Sequence, residues 1–227
     1  MRNRGASRGK KGSARKGNRS PTRRLGNVFA QKRLLLAGLL LAIAAGWFLH
    51  FHFSRENRFD AVILDAARRY KIDPALVKAV IWKESQFNAH AVGRAGERGL
   101  MQLMDPAAQE WAEAVGVYPL PSAHLFNPRT NILAGTWFLA QAISHYPNAD
   151  DPYPYGLAEY NAGRRNVLRW AEGTASTNSR LFIEQIDYPS TKRYVRAILA
   201  RRKRYLTQFP LHLRGLGQAR QRRWARE

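Results

Sequence analysis

The sequence contains no cysteine, so no disulfide holds any part of it and a folded region must rest on an apolar core. Acidic residues are scarce: 16 Asp and Glu stand against 38 Lys and Arg, a formal net charge of +22 on 227 residues. The deficit is local. Residues 1–33 hold twelve basic residues and no acid, and residues 201–227 hold nine basic residues against Glu227 alone. The stretch between, with 17 basic and 15 acidic residues, is close to neutral and is where a fold is expected. Alternating apolar and polar runs of strand length are missing, and so is any internal repeat, which leaves helices as the expected architecture. There is no Gly-rich phosphate loop and no Ser-His-Asp arrangement. The six histidines form no short-spaced ligand pair apart from His50 and His52, so no metal and no other cofactor is expected.

Residues 1–33, rich in Arg, Gly and Ser, have too few apolar side chains to offset chain entropy and read as a disordered basic segment on the cytoplasmic side. Residues 34–53, "LLLAGLLLAIAAGWFLHFHF", carry no Asp, Glu, Lys or Arg. At about 1.5 Å per residue they reach roughly 30 Å, enough for one transmembrane helix acting as a signal anchor. The basic residues before it put the N-terminus inside and everything after it on the periplasmic or extracytoplasmic side of a bacterial inner membrane. A cleaved signal peptide is the alternative, since "AIAAG" offers small residues. The basic tail, 206–227, then lies outside the cytoplasm, where lipid headgroups or an anionic wall polymer are its expected contacts and nucleic acid is not.

Residues 54–205 read as one mainly α domain. Phe59, Val62, Ile63, Ala66, Ala67 and Tyr70 recur at helical spacing. "IDPALVKAVIWKES" opens with Asp73 as N-cap and Pro74 at the first helical position. "MDPAAQEWAEAVG", "NPRTNILAGTWFLAQAISHY" and "STKRYVRAILARRKRYL" continue the pattern. "LAEYNAGRRNVLRWAEG" is helical around an Asn-Ala-Gly break, and "PNADDPYPYG" reads as a loop. Within the second helix, Glu84 falls on the face of Val77, Val80 and Ile81. A carboxylate thus occupies the end of an apolar stripe. A carboxyl held against apolar groups has its ionised form disfavoured, which keeps it protonated near neutral pH and able to donate. Ile81, Trp82, Phe87, Leu100 and Met104 are its available apolar neighbours.

Three separated blocks, "ESQFNAHAV" at 84–92, "GLMQLM" at 99–104 and "EYNAG" at 159–163, resemble in order the signature motifs of the lytic transglycosylase domain related to soluble transglycosylases and goose-type lysozyme. "NILAGTWFLAQ" is similar to its connecting helix, and the resemblance covers about residues 70–205. It implies a lysozyme-like fold and cleavage of the MurNAc-β-1,4-GlcNAc bond of peptidoglycan glycan strands, with formation of a 1,6-anhydro ring. By motif, Glu84 is the single acid and base and Ser85 stands beside it. Gln102 and Met104 line the sugar cleft, and Tyr160 and Asn161 orient the Glu84 carboxyl and the substrate. The chain departs from the family in places. Gly93 stands where serine is common, and Ser190, Thr191 and Lys192 stand where Glu-Thr-Arg is usual. Glu97 and Glu159 stand where alanine is common, either as surface charges or as cleft groups that select a glycan or position a water. A lysozyme-like hydrolase and a non-catalytic peptidoglycan-binding module on the same fold are the alternatives.

Overall fold

The computed structural model describes residues 22–209, without the side chains of 22–32 and 48–54. The expected basic segment falls mostly, and the expected C-terminal tail almost wholly, outside the described residues. The chain divides into two compact units, Met1–Phe51 and His52–Glu227. Described within the first is most of a helix, α1 (Thr22–Asn57), with Leu34, Leu35, Leu36, Leu39, Leu40 and Leu41 exposed. The expected transmembrane helix over 34–53 is not recovered: among the described residues no helix is long and apolar enough to cross a membrane. Residues 48–53 of the expected span lie among those whose side chains are not described.

The second unit is mainly helical and, among the described residues, has no strand, only isolated bridges pairing Arg98 with Val92 and with Leu103. α2 (Asp60–Tyr70) buries Ile63, Ala66 and Ala67 and stops at Lys71, whose left-handed backbone lets its N–H reach Ala67 O. Two residues later the chain re-enters a helix, α3 (Pro74–Ser85). There Asp73 accepts the Ala75 N–H at 2.8 Å, and Pro74 occupies a position whose missing N–H costs nothing. α4 (Asp105–Ala114) begins without a side-chain cap because its N-cap residue is Met104; the Asp105 carboxylate accepts from Arg98 Nη1 with both oxygens at 2.8 Å.

α5 (Pro128–Ser144) is capped by Asn127, whose Oδ1 accepts from the N–H groups of Arg129 and Thr130. α6 (Tyr153–Ala162) and α7 (Arg164–Trp170) meet at Gly163, with φ of 82°. The expected loop "PNADDPYPYG" is therefore too long. Pro154 sits in the first turn of α6, where proline is tolerated. Gly156 lies so close to α5 that a Cβ would stand 2.3 Å from Ile143 Cγ1. α8 (Ser179–Gln185), which the periodicity does not signal, starts from an Asn178 cap and buries Phe182 against Tyr155 at 4.0 Å between ring centres. α9 (Pro189–Tyr205) packs along α3, while α5 packs against α2 and α6. That pairing brings residues 110 positions apart into contact at the site.

Candidate active site

Glu84 sits in the last turn of α3, which ends at Gln86 in a left-handed conformation, followed by Phe87, also at positive φ. The reversal sends the chain from the end of α3 into the segment that carries Gly99 and Gln102. Ser85 pins that return: its hydroxyl donates to Leu100 O at 2.8 Å and to Ile81 O at 3.2 Å. The second anchor is Asn131 on α5, a fully buried amide. Its Oδ1 accepts the Met101 N–H at 2.8 Å, and its Nδ2 donates to Arg98 O and Leu125 O. Gly99 is required at this crossing, since its φ is +78° and a Cβ would lie 2.3 Å from Leu125 O. With both anchors in place the 99–104 loop is held across the end of α3.

Glu84 is half-buried, and Tyr194 of α9 donates its hydroxyl to Glu84 Oε1 at 2.5 Å. Burial is the largest influence on the carboxyl and pushes its pKa up to about 7; the Tyr194 hydrogen bond and Lys83 pull it down, and the Glu97 charge raises it further. Near neutral pH a substantial fraction thus carries a proton. Two tyrosines enclose it. Tyr194 and Tyr160 both have hydroxyls held far above the usual phenol range, by burial first and by the Glu84 charge second, so both remain donors. The Tyr160 hydroxyl, however, donates to Met101 O at 2.8 Å. The direct partner of Glu84 is Tyr194, which the motifs do not single out; the only sequence signal is its place in "STKRYV", one turn after Thr191.

The other expected site residues fall into two groups. Gln102, at φ of 48°, spends its Nε2 on Gly99 O at 2.9 Å and Ala91 O at 3.2 Å, which leaves its Oε1 as an acceptor. Met104 is 41% exposed, so it faces solvent rather than the core. Asn161 is exposed and accepts from the buried Thr191 hydroxyl at 2.9 Å, tying the "EYNAG" block to α9. Of the named apolar neighbours, Ile81, Phe87 and Leu100 are buried, whereas Trp82 lies under the Arg201 guanidinium at 4.6 Å.

Glu159 is not a free surface charge. Tyr146 donates to it at 2.5 Å and His145 Nδ1 lies 2.8 Å away; Glu159 and His145 line a cavity of about 250 Å³ with Glu110, Trp137, Phe138, Gln141 and Ala142. Among the described residues no group of three His, Asp or Glu side chains is placed to hold a metal.

Over residues 61–183, more than half its length, the sequence matches the family model of the transglycosylase SLT domain. The chain belongs to that family. The SLT domain here is similar to membrane-bound lytic murein transglycosylase C of Klebsiella pneumoniae, at 35% identity over 121 residues, 51% of this chain and 34% of that protein. Its fold is similar to an inactive mutant of the lytic transglycosylase Slt from Pseudomonas aeruginosa, with TM-score 0.60, 28% identity, and coverage of 65% of this chain and 24% of that one. It is also similar to the 70 kDa soluble lytic transglycosylase of Escherichia coli, with TM-score 0.56, 28% identity, and coverage of 63% and 24%. The chain thus spans about a third of the curated relative and a quarter of those structures.

One consequence of the Tyr194 contact is directly measurable in the SLT domain. A hydroxyl that donates to the carboxylate favours its ionised form, so Tyr194→Phe should raise the Glu84 pKa above that of the wild type. A carbon-13 NMR titration of the Glu84 carboxyl checks this. A pKa that falls or stays fixed would mean that the hydroxyl does not govern the acid.

Proposed function

We propose that this protein is a membrane-anchored murein lytic transglycosylase, cleaving the MurNAc-β-1,4-GlcNAc bond of peptidoglycan and leaving 1,6-anhydro-MurNAc. The observation that carries the reading is the Glu84 carboxyl, raised by burial to a pKa of about 7 and holding a tyrosine hydroxyl on one oxygen. A glycosidic oxygen is a poor leaving group until it is protonated, and an acid near neutrality gives the best product of correct protonation state and proton-transfer drive. Glu84 therefore protonates the bridging oxygen as the C1–O bond breaks. Its carboxylate then takes the proton of the muramyl 6-hydroxyl as O6 attacks C1. The proton returns to where it began, and no water is consumed.

Around that step, Gln102 Oε1 is available to accept from a sugar hydroxyl or N-acetyl N–H. Met104 offers an exposed thioether to a ring face, and Asn161, with its Oδ1 engaged by Thr191, has its Nδ2 as a donor for substrate. Ser85 acts by fixing the 99–104 loop. Tyr160 keeps the same loop in place from α6. The catalytic domain is assigned to residues 54–205.

The anchor is assigned to the charge-free run 34–53, preceded by twelve basic residues. That topology puts the SLT domain on the periplasmic side of the inner membrane, and the relative's name, a membrane-bound murein transglycosylase, supports it. The basic segment is proposed to contact anionic lipid headgroups on the cytoplasmic face, and the tail to contact lipid headgroups or wall polymer. Electrophoresis of the full chain in a gel cast with murein tests the activity: a cleared band at its mass is expected. An intact gel under a refolded protein would leave a binding module on the same fold.

A further inference from the structure

Position 93 is glycine, position 97 is glutamate, and the two are packed as one unit. Gly93 N–H donates to Glu97 O at 2.8 Å, and Glu97 Oε2 accepts the Ala95 N–H at 2.9 Å. The side chain folds back over the glycine: a Cβ built on Gly93 would lie 2.1 Å from Glu97 Oε2 and 2.9 Å from Gln102 Oε1. A side chain at 93 would therefore require the Glu97 carboxylate to swing out of this position. In this chain the space belongs to the carboxylate.

The neighbour of that carboxylate is an acceptor too. The Gln102 amide has committed its Nε2 to Gly99 O and Ala91 O, so the oxygen it turns toward Glu97 has no hydrogen to offer. Two acceptors facing one point repel each other unless a donor enters between them, and a water or a substrate hydroxyl is the donor available in a sugar cleft. Gln102 belongs to the 99–104 loop that Ser85, the chain neighbour of Glu84, fixes through Leu100 O. The Glu84 carboxyl is raised first by burial, and the Glu97 charge is near enough to add to that rise. Glu159, by contrast, is engaged by Tyr146 and His145 at the end of α5.

We propose that Glu97 is a second working carboxylate of the cleft, which with Gln102 Oε1 holds a water and takes its proton as that water attacks the anomeric carbon, so that part of the cutting is hydrolytic. The inference rests on Glu84 as the acid of a glycan-cleaving site. In this branch the Glu84 proton passes to the bridging oxygen as the C1–O bond breaks. The water oxygen forms the new bond to C1, and its proton goes to Glu97. Solvent then takes the Glu97 proton and returns one to Glu84, with no change of oxidation state. The division of labour is that of glycosidases that pair an acid with a base. The anhydro route differs in using the sugar's own hydroxyl in place of the water, and Glu84 rather than Glu97 as the base. Which route is taken depends on whether O6 or the held water reaches C1 first.

The test is product analysis by mass spectrometry after incubating the full chain with isolated murein in oxygen-18 water. The wild type is expected to release anhydro products together with reducing ends labelled at C1. Glu97→Gln keeps an oxygen for the Ala95 N–H but cannot take up a proton, and should lower the labelled share at least about fivefold. Gly93→Ser combined with Glu97→Ala fills the same space with a short side chain and should lower it likewise. Anhydro products alone from the wild type, or an unchanged labelled share in Glu97→Gln, would overturn the inference while leaving the transglycosylase reading intact. Absence of both products from folded wild type would overturn that reading and the inference with it.

Discussion

Replacing Glu84 by Gln should abolish nearly all cutting, a loss of about a hundred- to ten-thousandfold, the range over which a positioned acid and base contributes. The amide keeps the shape and still accepts from Tyr194, so the site stays assembled. What disappears is the proton, together with its return. Stability should move the other way.

The folded-state pKa of Glu84 is about 7 against an ordinary 4.5. Below about pH 4.5 the carboxyl is protonated in both folded and unfolded chains and imposes no penalty. Between 4.5 and 7 the unfolded chain releases the proton more readily, and wild-type stability falls; above 7 the loss is complete. Glu84→Gln escapes this, so it should exceed the wild type by on the order of 1–3 kcal/mol at pH 8 and by little at pH 4. Denaturant unfolding at the two pH values checks it. Equal stability differences at both would mean the carboxyl is not desolvated.

Lys78, two turns earlier on the same helix, should behave in the opposite way. It is fully buried. Its ammonium donates to Asn57 Oδ1 at 2.8 Å, Asp60 Oδ2 at 2.9 Å and Gln208 Oε1 at 2.8 Å, and it lies over the rings of Tyr205 and Phe209. Removing one partner of such a cluster leaves the others desolvated and unpaired. Burial already raises the Asp60 pKa against the pull of the lysine. Lys78→Ala should therefore destabilise the domain by about 3 kcal/mol or more, the lower end for a buried pair because Asp60 keeps some access to water. For a domain of this size that is a fall in Tm of about 6–12 °C. Lys78→Met retains the volume and should recover less than half of it. A change within about 1 °C would show that the cluster is solvated in solution.

These two residues show where sequence reading succeeds and where it stops. The stripe of Val77, Val80 and Ile81 points to Glu84, but it does not carry the full reason for that placement. α3 is buried on every side from Pro74 to Ile81, Lys78 included, so no single face distinguishes core from solvent. A lysine between valine and alanine reads as an outward charge, and only its distant partners Asp60 and Gln208 make it an inward one.

The cap at Asp73 and the break at Gly163 were legible because their chemistry is local. Tyr194 was not, since its contact with Glu84 bridges 110 residues and exists only through the packing of α3 on α9. Asn131 was hidden for the same reason: its polar group serves three backbone partners in two other segments. Gly93 and Glu97, read singly, are two departures from a motif. Their complementarity appears only when the side chain folds back four residues.

The central claim is that one half-buried, protonatable carboxyl on α3, Glu84, supplies the proton that cuts the glycan. The measurement that tests it most directly is the rate of sugar release from isolated murein by folded wild type and folded Glu84→Gln, with the products resolved by mass. The account predicts anhydro-ended fragments, lighter by one water than their hydrolysed counterparts, from the wild type, and a rate for Glu84→Gln at least about a hundredfold lower. A folded Glu84→Gln protein that releases the same fragments at close to the wild-type rate would contradict it.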